Sequence, residues 1–141
     1  MILLDTNVVS ELMKPQPDSS VLDWMDRQTK AEVFTSAITC AEIELGISLL
    51  PEGKRRDALN KAAHAMFTED FACAILPFNE DSATHYATLV AQRTRIGRPI
   101  TTEDAQIAAI ALQHRLTLVT RNIRDFEKIQ NLSLINPWEL S

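Results

Sequence analysis

A chain of 141 residues fits one domain, 1–141, large enough to bury a core without disulfide or metal staples. With 45% hydrophobic and 23% charged residues and no apolar run approaching a bilayer's thickness, it reads as an ordinary globular protein with no membrane role. A net charge of −5 excludes a protein that holds nucleic acid by bulk charge alone.

The chain opens on Met1-Ile2-Leu3-Leu4, an apolar run without alternation that ends in Asp5-Thr6-Asn7. Such a run predicts a strand buried on both faces, as in a parallel sheet. Asp5 then stands at the strand's carboxyl end, the edge where open α/β sheets keep their ligands. Asp5 or Thr6 as a simple helix cap is the plainer alternative. A strand opening at residue 1 leaves no room for a removable leader, and a cytoplasmic location is expected.

A first helix follows, Val8 to about Met13, stopped by Lys14-Pro15-Gln16-Pro17. Asp18 or Ser19 caps a second helix with Val21, Leu22, Trp24 and Met25 on its apolar face. Val33-Phe34-Thr35 is the second strand, and Thr39 opens a helix that runs through Leu50 to the break at Pro51-Glu52-Gly53. A longer helix spans roughly Lys54 to Asp70, with Leu59, Ala62, Ala63, Met66 and Phe67 inward. Ala74-Ile75-Leu76 is the third strand. Asn79 to Ser82 caps a helix that ends near Ile96, before Gly97. Another helix, Glu103 to Arg115, leads into the strong strand Leu116–Thr120, and Leu132–Ile135 closes the series. Strands separated by helices predict a three-layer α/β/α domain around a mostly parallel, Rossmann-like sheet of four to five strands.

Three carboxylates are brought to one rim by this pattern. Glu42 shares a helix stripe with Leu45, Gly46 and Leu49, which places it on the sheet-facing side, while Glu44 points to water. Thr39-x-x-Glu42 is equally a capping box, with Glu42 folded back on the backbone of Thr39. Asp104 begins the helix that feeds the Leu116–Thr120 strand. That helix runs against the strand, so Asp104 comes to the same edge as Asp5, with Ile107, Ala108 and Ala111 on its face. Thr101-x-x-Asp104 is another cap-like pair, and Glu103 is a neighbouring acid. The strand ends in Arg121-Asn122 at the rim, with Asp125 one turn on. Clustered acids repel unless a cation sits among them, and oxygen-only ligands suit Mg²⁺ or Mn²⁺. Phosphodiester hydrolysis is the chemistry such a site performs best.

Asp5-Thr6-Asn7, Thr39-x-x-Glu42, Asp104-Ala105-x-Ile107-Ala108 and Thr120-Arg121-Asn122-x-x-Asp125-Phe126, closing on Asn136-Pro137-Trp138, resemble the PIN domain. More narrowly, the chain is similar over its whole length to the VapC toxins and FitB-type proteins of bacterial toxin–antitoxin pairs. The resemblance implies a Mg²⁺-dependent endoribonuclease, usually dimeric and silenced by a small antitoxin. It implies Asp5, Glu42 and Asp104 as metal-binding acids, with Thr6 holding the first Asp or a water. The family's fourth position is often Asp, and here it is Asn122, which weakens any second metal site. Asp125 is the nearest substitute.

Two other readings stand beside the nuclease. One is a PIN-fold module that binds nucleic acid or a partner, FitB-like on DNA, and cuts poorly because of Asn122. The other is a phosphotransferase with Asp5 as nucleophile, which lacks a second carboxylate where Asn7 stands. Cys40 and Cys73 read as small buried hydrophobes. Lys54-Arg55-Arg56 and the Arg93, Arg95, Arg98 group read as solvated helix faces. His64, His85 and His114 share no spacing and read as structural or exposed. Trp24 and Trp138 read as packing residues rather than base-stacking platforms.

Overall fold

A computed structural model describes residues 1–71 and 74–140. Five short strands form one fully parallel sheet: β1 (Ile2–Leu4), β2 (Val33–Ser36), β3 (Ile75–Leu76), β4 (Thr117–Val119) and β5 (Leu134–Ile135). Their spatial order is β3-β2-β1-β4-β5. The chain therefore builds outward from β1 in one direction, then crosses back to build outward in the other. The reversal falls between β1 and β4, and ligands in such sheets bind outside the carboxyl ends of the strands at that point.

Among the described residues seven α-helices cover the sheet: α1 (Thr6–Leu12), α2 (Ser19–Asp26), α3 (Ala37–Ser48), α4 (Lys54–Ala65), α5 (Glu80–Arg95), α6 (Thr102–His114) and α7 (Ile123–Phe126). Side chains alternate along the pleat, so one strand serves two cores. Ile2, Leu4 and Val119 join Val8, Val9, Trp24, Ile43, Ile47 and Phe67 on the α1–α4 side. Leu3 and Leu118 join Leu89, Ile107, Ala108, Ile110 and Phe126 on the α5–α7 side. Leu3, Leu4 and Leu118 are completely buried, as strands covered on both faces require. The three-layer, Rossmann-like architecture expected from the sequence is the one observed.

Several boundaries differ from the sequence pattern, each for a local reason. The first helix begins at Thr6 rather than Val8, because Asp5 is its N-cap and its own carboxylate accepts from the Thr6 amide at 2.8 Å. The third helix opens at Ala37, capped by Ser36, whose hydroxyl accepts from the Thr39 amide at 3.1 Å. Thr39 is thus inside the helix, and the Thr39–Glu42 capping box does not form. The inward face also differs from the expected one. Thr39, Ile43 and Ile47 are buried, whereas Leu45 and Leu49 are 60% and 76% exposed. The expected Glu42–Leu45–Leu49 inward stripe is an outward one, and Glu42 lies half-buried at its edge. The helix from Lys54 stops being α-helical at Ala65 and widens into a π-type turn, Met66–Asp70, that seats Phe67 in the core. Asn79 and Ser82 form the reciprocal cap of α5. Cys40 is half-buried against the α1–α4 core. Cys73 lies outside the described residues.

Candidate active site

Asp5, Thr6, Glu42, Asp104 and Asn122 all line one open cleft of about 440 Å³ at the carboxyl edge of β1 and β4. Asn7, Ser10, Glu11, Lys14, Arg121 and Trp138 complete it. A larger cavity, about 600 Å³, lies by the opposite edge, where β4 begins at Thr117. It is lined by His85, Gln92, Arg115 and Gln130 among others and holds no carboxylate, so the three acids meet only at the smaller cleft.

Asp5 is held on both oxygens. Oδ1 accepts the Thr6 amide, and Oδ2 accepts the Thr120 hydroxyl at 2.8 Å. Thr120 is fully buried and its own oxygen accepts the Asn122 amide at 3.0 Å, so the turn after β4 is wired to the acid after β1. The backbone adds to this: the Asp5 amide donates to the carbonyl of Val119 at 2.9 Å. Only 4% of Asp5 is exposed. Burial pushes its carboxyl up from 3.8 to about 6, the Thr120 and Thr6 hydrogen bonds pull it partly back, and the charges of Asp104 and Glu42 add to the rise.

Glu42 is anchored by Thr6, whose hydroxyl donates to Oε1 at 2.7 Å and lies 3.1 Å from the Thr39 hydroxyl. Thr6, which the resemblance implies to hold the first Asp or a water, touches both acids. Its amide holds Asp5, its hydroxyl holds Glu42, and Thr120 supplies the hydroxyl for Asp5. Asp104 sits in the first turn of α6, where Thr101 caps the helix by accepting the Asp104 amide at 3.3 Å. Its carboxyl is raised by burial first, against a Thr101 hydrogen bond, and then by the charges of Asp125, Glu42 and Glu103. Asp125 is exposed and does not line the cleft, so it influences Asp104 only through space. Asn122 lines the cleft as well.

The acids share a cleft without forming a finished cage. Among the described residues, no three His, Cys, Asp or Glu side chains stand close enough to hold a metal ion between them. Among these residues none of the three acids is ion-paired either; the salt bridges seen are Lys14–Glu11 and Arg98–Glu127.

Three cleft residues were not marked by sequence reasoning: Ser10, Glu11 and Lys14. Thr6, Ser10 and Lys14 recur every fourth residue, with Asn7 and Glu11 beside them, so a polar stripe along α1 was there to be read. Arg121 was placed at the rim by the end of its strand but given no role, and Trp138, read as a packing residue, lines the cleft as well. Arg93 departs from expectation in the other direction. It is 3% exposed and donates to the carbonyls of Arg98, Asp125 and Glu127, stapling the segment after β4 to α5. None of the three histidines lines the cleft. The Cys40 thiol, pushed up to about 11 by burial, stays protonated and is no nucleophile.

A fully parallel sheet of this order, with carboxylates gathered in a cleft at its switch point, defines a Rossmann-like α/β domain with an oxygen-rich polar site. The chain belongs to the PIN domain family, whose sequence profile matches residues 2–132. It is 42% identical over 139 residues to the VapC ribonuclease Y4jK of Sinorhizobium fredii, covering 99% of each chain. It is 41% identical over 138 residues to toxin FitB of Neisseria gonorrhoeae, covering 98% of this chain and 99% of that one. A solved structure of FitAB bound to an IR36 DNA fragment superposes with a TM-score of 0.91 at 40% identity, covering 100% of this chain and 98% of the other. No helix among the described residues is long and apolar enough to cross a membrane.

Proposed function

We propose that this PIN domain is the toxin of a toxin–antitoxin pair and acts as an endoribonuclease dependent on Mg²⁺ or Mn²⁺. The observation that carries the reading is Asp5: a buried carboxylate at the switch point, raised to about 6, with Glu42 and Asp104 lining the same cleft. The names of the relatives, a VapC ribonuclease and toxin FitB, support it.

The donor set suits a hard dication. All three groups are carboxylates, none is neutralised by a side-chain cation among the described residues, and Asp5 is raised in part by the other two. Mg²⁺ keeps several waters and uses only one or two carboxylates directly, so a closed cage is not required. Asp5, Asp104 and Glu42 would hold the ion, with Glu42 acting largely through water. When bound, the ion lends Lewis acidity to the phosphate and makes water a better nucleophile at neutral pH. The protein's own groups supply the positioning. Thr120 and the Thr6 amide fix both Asp5 oxygens, while the Thr6 hydroxyl fixes Glu42 through Oε1. Oε2 of Glu42 then remains to take a proton from an attacking water. Asn122, neutral where an acid would strengthen a second ion, makes that second site weak.

An antitoxin protein is the partner this reading calls for, and a homodimer is the expected assembly, with the exposed Leu45 and Leu49 of α3 offering apolar surface to cover. The second reading, a nucleic-acid-binding module that acts with its partner on DNA, draws on the FitAB–DNA likeness, on Asn122 and on the absence of a preformed cage among the described residues. Incubating the purified chain with single-stranded RNA, with Mg²⁺, with Mn²⁺ and with EDTA, separates them. Ion-dependent cleavage that Asp5→Asn abolishes supports the nuclease. No cleavage under any ion, alongside partner-dependent DNA binding, supports the module.

A further inference from the structure

The acidic cleft also holds cations. Thr6, Asn7, Ser10 and Glu11 line it from α1, a helix that spans about 9 Å from Thr6 to Leu12 at 1.5 Å per residue, and Lys14 lines it from just past that helix's end. Arg121 lines it from the turn after β4. Lys14 and Arg121 are two cations in the cleft of a protein of net charge −5.

Neither cation is placed by accident of a flexible chain. Lys14 is held by Glu11 at 2.9 Å, and Glu11 is itself buried, its second oxygen accepting the Asp18 amide at 2.9 Å. The Lys14 side chain remains 59% exposed despite that tether. Arg121 is carried on the turn after β4. Its amide donates to Oδ1 of Asn7 at 3.3 Å, and its carbonyl accepts from Nδ2 of Asn136 at 3.3 Å. Asn136 also accepts the Trp138 amide through Oδ1 at 3.0 Å, so one side chain latches the C-terminal segment to the β4 turn. That latch brings the Trp138 ring under the Arg121 guanidinium, 5.0 Å from its centroid. Stacking on an indole orients a guanidinium while leaving its N–H edge unspent. Among the described residues no carboxylate pairs with Arg121. A preoriented guanidinium with no carboxylate partner among the described residues, sharing one cleft with a tethered ammonium and the acids, is built for an anion that must be kept aligned with the acids.

We propose that Lys14 and Arg121 form a phosphate clamp that grips single-stranded RNA beside the scissile bond, with Trp138 as the positioning residue that presents Arg121. The clamp rests on the nuclease reading for its substrate. It explains how an acidic protein binds a polyanion: the charge is local. The clamp should therefore govern binding more than the chemical step.

The test measures fluorescence anisotropy of a short labelled single-stranded RNA on the Asp5→Asn background in Mg²⁺, and KM and kcat on the otherwise wild-type chain. Arg121→Gln is expected to weaken binding about tenfold and to reduce the slope of log K against log salt by about 0.7, the value of one lost single-strand phosphate contact. KM should rise by a similar factor with kcat within about twofold, since the contact is made equally in ground and transition states. Lys14→Gln should behave alike. Trp138→Phe, which keeps an aromatic face, should retain most of the affinity, and Trp138→Leu should fall to the level of Arg121→Gln. Wild-type affinity and salt slope in Arg121→Gln overturn the clamp, as does unchanged RNA binding with loss of inhibition by a protein partner. A wild-type chain that never cuts RNA, yet loses RNA affinity and salt slope with Arg121→Gln, overturns the nuclease reading and leaves the clamp standing.

Discussion

Asp5→Asn should make the metal-free protein more stable above neutrality while removing RNA cleavage and growth toxicity. In the folded chain the Asp5 carboxyl sits at about 6 against an ordinary 3.8. A carboxyl raised on folding binds its proton more tightly in the native state. Its favourable contribution is complete below 3.8 and is lost as pH rises through about 6, after which the native state carries a buried, strained charge. At 1.36 kcal/mol per unit the lost contribution reaches about 3 kcal/mol at pH 8. An asparagine never develops that charge. It does put an amide N–H₂ against one of the two donors that Asp5 accepts, the Thr6 amide or the Thr120 hydroxyl, which offsets about 1 kcal/mol. The net gain is about 2 kcal/mol, or about 6 °C in Tm for a chain of this length. Near pH 4, where wild-type Asp5 is largely protonated, the two proteins should melt together or the variant slightly lower. Thermal unfolding in EDTA from pH 4 to pH 8 measures this directly. Parallel curves, or a variant below wild type at pH 8, would refute the idea that Asp5 is held under charge strain. A variant that melts lower yet cuts RNA normally would make Asp5 structural.

Other outcomes follow from the same geometry. Thr120→Val removes the hydroxyl that joins Asp5 to the Asn122 amide, so it should destabilise the fold by about 1–3 kcal/mol and move the Asp5 carboxyl further up; chemical denaturation and an NMR titration of Asp5 report the two effects. Mg²⁺ at a hundred times its Kd should stabilise wild type by about 2.7 kcal/mol at pH 8 and the Asp5→Asn variant far less, which melting with and without the ion will show. Asn122→Asp adds a charge at a residue that lines the cleft and should lower the Mg²⁺ concentration for half-maximal cleavage; coincident titrations would remove Asn122 from the site. A protein inhibitor should act by placing an arginine against the acids, since guanidinium bonds carboxylates in pairs; inhibition that survives replacement of all the partner's C-terminal basic residues would exclude this.

The sequence by itself determined the architecture and the rim. Apolar runs such as Ile2–Leu4 and Leu118–Val119, interrupted by capped helices, can bury both faces only as a parallel sheet between helix layers, and a strand's last residue must lie at its carboxyl edge. Asp5, Asp104 and Asn122 were therefore placeable from chain position alone, Asp104 because a helix feeding a parallel strand begins at that edge. What only the tertiary structure decided was the set of partners. Whether Glu42 capped its own helix or reached Thr6 depended on whether Ser36 or Thr39 took the cap, a competition between two equally suitable hydroxyl residues that local pattern does not resolve. Which face of that helix meets the core was likewise decided by packing, with Thr39, Ile43 and Ile47 inward and Leu45 and Leu49 outward. Thr120 was visible as the end of a strand, but its bond to Asp5 spans 115 residues and exists because β1 and β4 are neighbours in the sheet. Arg121 and Trp138 meet for a similar reason: the Asn136 side chain, far along the chain, bridges the β4 turn to the C-terminal segment. Side-chain contacts between distant strands depend on sheet order and register, and neither is written in the periodicity of any single segment.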